Sequence, residues 1–135
     1  MSYLLDTNVL SEIRKPQGDA GVRRWFGDVR SDELFLSVLV LGEVRQGVER
    51  LERRDPAQAA VIERWLEGLA AHYGGRILPV DVAVADRWGR LNASDPLPVI
   101  DGLLAATALV HGLTLVTRNT RDVERSGVQL LNPFG

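Results

Sequence analysis

The chain has 135 residues, 45% hydrophobic and 25% charged, with a formal net charge of −2 and no cysteine. This is the length and balance of one soluble globular domain over residues 1–135, and it excludes disulfides, thiolate metal sites and cysteine nucleophiles. The slight negative charge excludes a global basic field for nucleic acid, but every basic residue except Lys15 is arginine, whose planar fork suits phosphate locally.

Tyr3-Leu4-Leu5-Asp6 reads as a short buried strand ending on a carboxylate. No cationic stretch precedes it, so a signal peptide is not expected. Asn8 to Lys15 forms a helix that Pro16-Gln17-Gly18 ends. Asp19 caps a second helix through Arg30, with Val22, Trp25 and Phe26 on one face. Leu34-Phe35-Leu36 is the next strand, and Ser37 caps a long helix to about Arg54, striped by Val40, Leu41, Val44, Val48 and Leu51. Asp55-Pro56 starts a further helix with Val61, Ile62, Trp65, Leu66 and Leu69 on one face, ended by Gly74-Gly75.

Ile77 to Val80 is a short strand, and Asp81 caps a helix carrying Val82, Ala85 and Trp88. A loop from Asn92 to Pro98 leads into the most apolar helix, Val99 to His111, which Gly112 stops. The apolar stretch from Leu97 to Val110 is too short to span a bilayer and contains Asp101. Leu113 to Val116 is a strand, Thr120 to Arg125 a helical turn, and Val128 to Leu131 the last strand. Strands alternating with helices predict a three-layer α/β/α fold around a parallel sheet of about four to five strands. Ligands of such sheets bind beyond the carboxyl ends of the strands, where Asp6 and the Asn119–Asp122 loop lie.

Four acids stand out: Asp6, Glu43 within an apolar helix, Asp101 at the head of another, and Asp122 after a strand. Each has a structural alternative. Asp6 and Asp122 suit helix caps, Asp101 complements a helix dipole, and Glu43 is placed to pair with Arg50. Gathered in one cleft, however, the acids repel each other, and a hard divalent cation such as Mg²⁺ or Mn²⁺ relieves the conflict through oxygen ligands. The expectation is a metal-dependent phosphodiester hydrolase. Asp6 and Asp101 would hold the ion, Glu43 and Asp122 would complete its shell, and Asn8, Thr117 and Asn119 would orient ligands. Arg118 and Arg121 flank the acidic loop and are the candidates for phosphate contact.

These residues also form a family pattern. Leu4-Leu5-Asp6-Thr7-Asn8-Val9-Leu10, the SVLVLGEVRQG stretch from Ser37 to Gly47, Asp101 to Ala108, Thr117 to Asp122 and Asn132-Pro133-Phe134 together resemble PIN-domain ribonucleases, especially bacterial toxins of the VapC and FitB type. The resemblance covers essentially the whole chain, with the motifs in order. It implies a PIN-like fold, a homodimer, and Mg²⁺- or Mn²⁺-dependent cleavage of RNA in the cytoplasm. It further implies that the acids at 6, 43, 101 and 122 form the metal site, and that a small antitoxin blocks it. Val40 and Val123 depart from the Thr and Phe of many relatives, and the Ser94–Pro98 segment lacks an arginine often found there.

Receiver domains and aspartate-nucleophile phosphatases also begin with a strand ending in Asp. They need a late lysine near the phosphate, and Lys15 is the sole lysine. Phosphate-binding glycine fingerprints are absent. The alternative from another class is a catalytically silent PIN-like module that regulates a partner through the same acidic pocket.

Overall fold

Leu4 and Leu5 point to opposite faces of the first strand, and both are fully buried. A strand can bury both faces only where helices cover both sides of its sheet. The computed structural model describes residues Met1–Gly135 and shows this arrangement. Its elements are β1 (Tyr3–Leu5), α1 (Thr7–Arg14), α2 (Ala20–Asp28), β2 (Leu34–Ser37), α3 (Val38–Glu52) and α4 (Pro56–Tyr73). They continue with β3 (Ile77–Leu78), α5 (Val82–Leu91), α6 (Val99–His111), β4 (Thr114–Val116), α7 (Thr120–Val123) and β5 (Leu130–Leu131).

The five strands are all parallel, in the order β3-β2-β1-β4-β5. Right-handed crossovers then put α1–α4 on one face and α5–α7 on the other. The packing agrees: α1 meets α2 and α3, α3 meets α4, and α6 meets α5 and α7. The chain runs outward from β1 in one direction and from β4 in the other. The seam between β1 and β4 is therefore a topological switch point, where the following loops splay apart and leave a crevice.

Helix starts follow the acid and hydroxyl caps of the sequence. Ser37 Oγ accepts from Leu39 N–H, and Asp19, Asp55 and Asp81 accept from Val22, Gln58 and Val84. α6 stops at Gly112, whose φ of 67° only glycine adopts readily. Several expectations shift. β3 stops at Leu78 rather than Val80. α2 ends at Asp28 rather than Arg30, because Arg30 N–H turns to Glu33 Oε1 and opens a 3₁₀ turn. The last strand shrinks to Leu130–Leu131. On α5 the buried residue is Val84, while Val82 is 86% exposed: capping by Asp81 turns the first helical position outward. Val61 likewise faces solvent on α4, where Ala59, Leu66 and Leu69 carry the buried stripe. No helix is long and apolar enough to cross a membrane.

The core joins Leu4, Leu5 and Leu36 of the sheet to Val40, Leu104 and Ala108 of the helices. Leu4→Ala would open a void in the central strand. It is expected to lower unfolding free energy by about 2–5 kcal/mol, measured by denaturant melts. An unchanged midpoint would contradict the packing described here.

Candidate active site

Asp6 follows β1 directly at the switch point and is 8% exposed. It does cap α1, accepting from Thr7 N–H at 2.7 Å through Oδ1. Its other oxygen has a different task. Oδ2 accepts from the Thr117 hydroxyl at 2.7 Å, across 111 residues of sequence. Thr117 follows β4 and is 1% exposed, and its Oγ1 also accepts from Asn119 N–H at 3.0 Å. One buried hydroxyl thus ties the end of β1 to the loop after β4. The β1–β4 pairing, with Leu5 opposite Val116, sets that register.

Glu43 comes from α3 and is half-buried. It takes a hydrogen bond from Thr7 Oγ1 at 2.5 Å, and no pairing with Arg50 forms. Gly42 and Gly47 beside it leave open space. Thr7 is the connection that the sequence reading missed: nothing in the pattern announced a contact across 36 residues.

Asp101 sits in the first turn of α6, half-buried and without an ion pair. Its helix approaches α5 closely because Gly102 follows it. A Cβ there would stand 3.0 Å from Asn92 Nδ2 and 3.2 Å from Trp88 Nε1. Asn92 Nδ2 in turn donates to Trp88 O while its Oδ1 accepts from Leu97 N–H, fixing the loop that delivers Asp101. Burial raises the Asp101 pKa above its usual value, and the charges of Asp6, Asp122 and Glu43 raise it further. Asp101 therefore feels the charge of each of the other three acids. Asp122, on α7, is the most open of them and is solvent-exposed.

The donor set is entirely oxygen, and its shared charge has no lysine or arginine partner, which suits a hard divalent cation. Asn8, two residues after Asp6, adds a buried Oδ1 that accepts no hydrogen bond. An acceptor left open in this way fits a water or ion shell. No three acidic or histidine side chains stand close enough together to grip an ion by themselves. Part of the shell would be water, as Mg²⁺ prefers.

Asn119 starts α7 and is exposed, as is Arg121; Arg118 lies 4.0 Å above the Phe134 ring. That stack holds one of the two candidate phosphate contacts in place at the mouth of the loop.

The family model described as PIN domain matches residues 3–126. The chain is 32% identical to Toxin FitB of Neisseria gonorrhoeae, over 97% of each protein. It is also 32% identical to VapC ribonuclease Y4jK of Sinorhizobium fredii, over 97% of this chain and 96% of that one. The solved structure of FitAB bound to a DNA fragment contains a chain that superposes with a TM-score of 0.90 at 31% identity, covering 98% of this chain and 96% of its own.

Proposed function

This chain belongs to the PIN-domain family, and from that premise we propose that it is a metal-dependent endoribonuclease, the toxin of a toxin–antitoxin pair acting in the cytoplasm. The observation that supports the chemistry is that Asp101, beside the β1–β4 switch point, feels the charges of Asp6, Asp122 and Glu43, and that none of the four acids has a basic partner. RNA as substrate draws its support from relatives named ribonucleases, and the antitoxin from a relative named as a toxin and a solved FitAB assembly on DNA. The homodimer is part of the same proposal.

Asp6 and Asp101 would hold Mg²⁺ or Mn²⁺, with Glu43 and Asp122 completing the shell directly or through water. When bound, such an ion neutralises phosphate charge and makes water a better nucleophile near neutral pH. The chain's own residues supply the positioning. Thr117 and Thr7 N–H fix both oxygens of Asp6, Thr7 Oγ1 holds Glu43, and Gly102 lets α6 bring Asp101 in. Asn8 and Asn119 offer further polar groups beside these acids. Arg118 and Arg121, which flank the acidic loop, would contact phosphates of the strand.

Incubation of the purified protein with RNA, with Mg²⁺, Mn²⁺ or a chelator, tests this reading. Cleavage that needs the ion is expected. Ion binding without any cleavage would instead favour the silent regulatory module. Thr117→Val keeps the shape but removes the hydroxyl that orients Asp6. Supporting groups of this kind are worth about 10–100-fold in metal affinity or activity. A loss of that size is expected for Thr117→Val, with recovery in Thr117→Ser. Equal rates for all three proteins would remove Thr117 from the site.

A further inference from the structure

The segment after β5, Asn132–Gly135, leaves the sheet at the same carboxyl edge as Asp6 and Thr117, and it is pinned along its length. Leu131 O, at the end of β5, accepts from Thr117 N–H at 3.0 Å. Asn132 Oδ1 accepts from Phe134 N–H at 3.0 Å, which turns the backbone sharply. Gly135 N–H then donates to Asp19 Oδ1 at 3.1 Å, and Gly135 O accepts from Gly21 N–H at 3.2 Å. The fit against the first turn of α2 is close. A Cβ on Gly21 would stand 2.5 Å from Pro133 O and 2.8 Å from Gly135 N, backbone atoms that cannot swing aside. Between these pins the Phe134 ring lies against the Arg118 guanidinium, 4.0 Å from ring centre to Cζ. Three arginines stack on rings in this chain: Arg14 on Trp65 at 5.6 Å, Arg76 on Tyr73 at 5.0 Å, and Arg118 on Phe134. Arg118 is the tightest of them, and the residue before it, Thr117, holds Asp6. Arg76 spends its donors on Ser31 O, Leu34 O and His72 O.

A free arginine side chain loses much rotamer freedom when its fork closes on a phosphate. A guanidinium already resting on a ring has surrendered part of that freedom before the substrate arrives, and its edge donors stay available. Asp19 does not compete for them. Its Oδ1 is taken by the N–H groups of Val22 and Gly135, and no ion pair with Arg118 forms. Resting on the ribonuclease reading, we infer that Asn132–Gly135 is an arm of the substrate site. Its docking on the start of α2 fixes Phe134, and Phe134 is the positioning residue that aims Arg118 at a phosphate of the bound RNA. The ring also packs against the core, so a purely structural role is the rival. The two roles part in whether the effect of the ring depends on Arg118.

The test is a double-mutant cycle read in the kinetics of RNA cleavage by the full chain with Mg²⁺. Arg118→Ala is expected to raise KM at least about 10-fold, the scale of a hydrogen bond to a charged group, with a smaller change in kcat. Phe134→Leu keeps an apolar side chain on the core but removes the ring face, and it is expected to raise KM about 3-fold. Phe134→Tyr restores a face and is expected to return KM to the parental value. In the Arg118→Ala background, Phe134→Leu is expected to change KM no further, because nothing remains for the ring to aim. Gly21→Ala pushes the segment off α2 and is expected to copy Phe134→Leu, again only while Arg118 is present. A second readout is the salt dependence of binding for a labelled single-stranded RNA, with the Asp6→Asn protein so that cleavage does not intervene. There Arg118→Ala is expected to flatten the slope of log affinity against log salt by about 0.7, whereas Phe134→Leu weakens binding at an unchanged slope, since the charge stays. Equal KM rises from Phe134→Leu with and without Arg118 would make the ring a packing residue only and overturn the inference. A parental KM for Phe134→Leu, for Arg118→Ala or for a folded Gly21→Ala protein would overturn it as well, while the ribonuclease reading stands. Should circular dichroism show Gly21→Ala unfolded, the Phe134 cycle alone decides. A parent that neither binds nor cuts RNA removes the ribonuclease reading, and this inference with it.

Discussion

The Asp6→Asn protein is expected to fold as the parent does and to lose ion-dependent RNA cleavage by at least about 100-fold, beyond the range of a merely supporting group. The expectation of normal folding comes from the local contacts. Asn is as good a helix cap as Asp, so Thr7 N–H keeps its acceptor. The oxygen facing Thr117 becomes an amide NH₂, and the Thr117 hydroxyl can turn to accept from it, having two lone pairs. What disappears is one negative charge at the centre of the cluster, and with it affinity for a divalent ion. Circular dichroism and thermal melts check the fold, Mn²⁺ titration checks the ion, and gel analysis of RNA checks cleavage. Parental cleavage by this variant would show that the chemistry resides elsewhere.

Asp101→Asn is expected to have two effects of opposite sign. Cleavage should fall on the scale of Asp6→Asn, because the same charge cluster is broken. Stability in the absence of metal should rise at neutral pH. In the unfolded chain Asp101 titrates near its ordinary value of 3.8, whereas in the folded chain burial and then the charges of Asp6, Asp122 and Glu43 raise it. The folded state therefore binds that proton more tightly, and stability drops as pH climbs from the unfolded value through the folded one. At neutral pH the full penalty is present in the parent and absent in the variant. Melts in chelator should show the variant's advantage growing from about pH 4 upward and vanishing below it. Added Mg²⁺ should stabilise the parent selectively and narrow or reverse the gap. A variant no more stable than the parent at neutral pH, with metal removed, would mean that Asp101 bears no such strain.

The sequence was most readable where one residue type performs one local task. Asp19, Ser37, Asp55 and Asp81 marked helix starts because a short oxygen side chain satisfies free N–H groups, and the caps fall on those residues. Parallel strands were readable at Leu4-Leu5 and Leu115-Val116, where apolar runs without alternation require cover on both sides. The stripe on α5 was misplaced because Val82 and Val84 are equally apolar, and only tertiary packing decides which faces inward. In the site, the acids could be picked out by their incongruity among apolar neighbours. The hydroxyl links could not. Thr7 to Glu43 and Thr117 to Asp6 are contacts over long separations, and no periodicity encodes them. Arg14 and Trp65 lie on different helices, and their stacking likewise appears only once α1 and α4 are packed.

The β1–β4 pairing has a consequence for the birth of the molecule. Ribosomes release the chain from its amino end, and β1, which can pair with β2 early, waits for its second partner strand, which begins at Thr114. A nascent polypeptide that has already exposed Asp6 and Glu43 still lacks Thr117 to steady the first and Asp122 to accompany both. No early translation product can carry the complete centre. If the protein cuts RNA as proposed, the host producing it is spared until the final stretch of synthesis, which leaves time for a neutralising partner made alongside to be present when competence arrives.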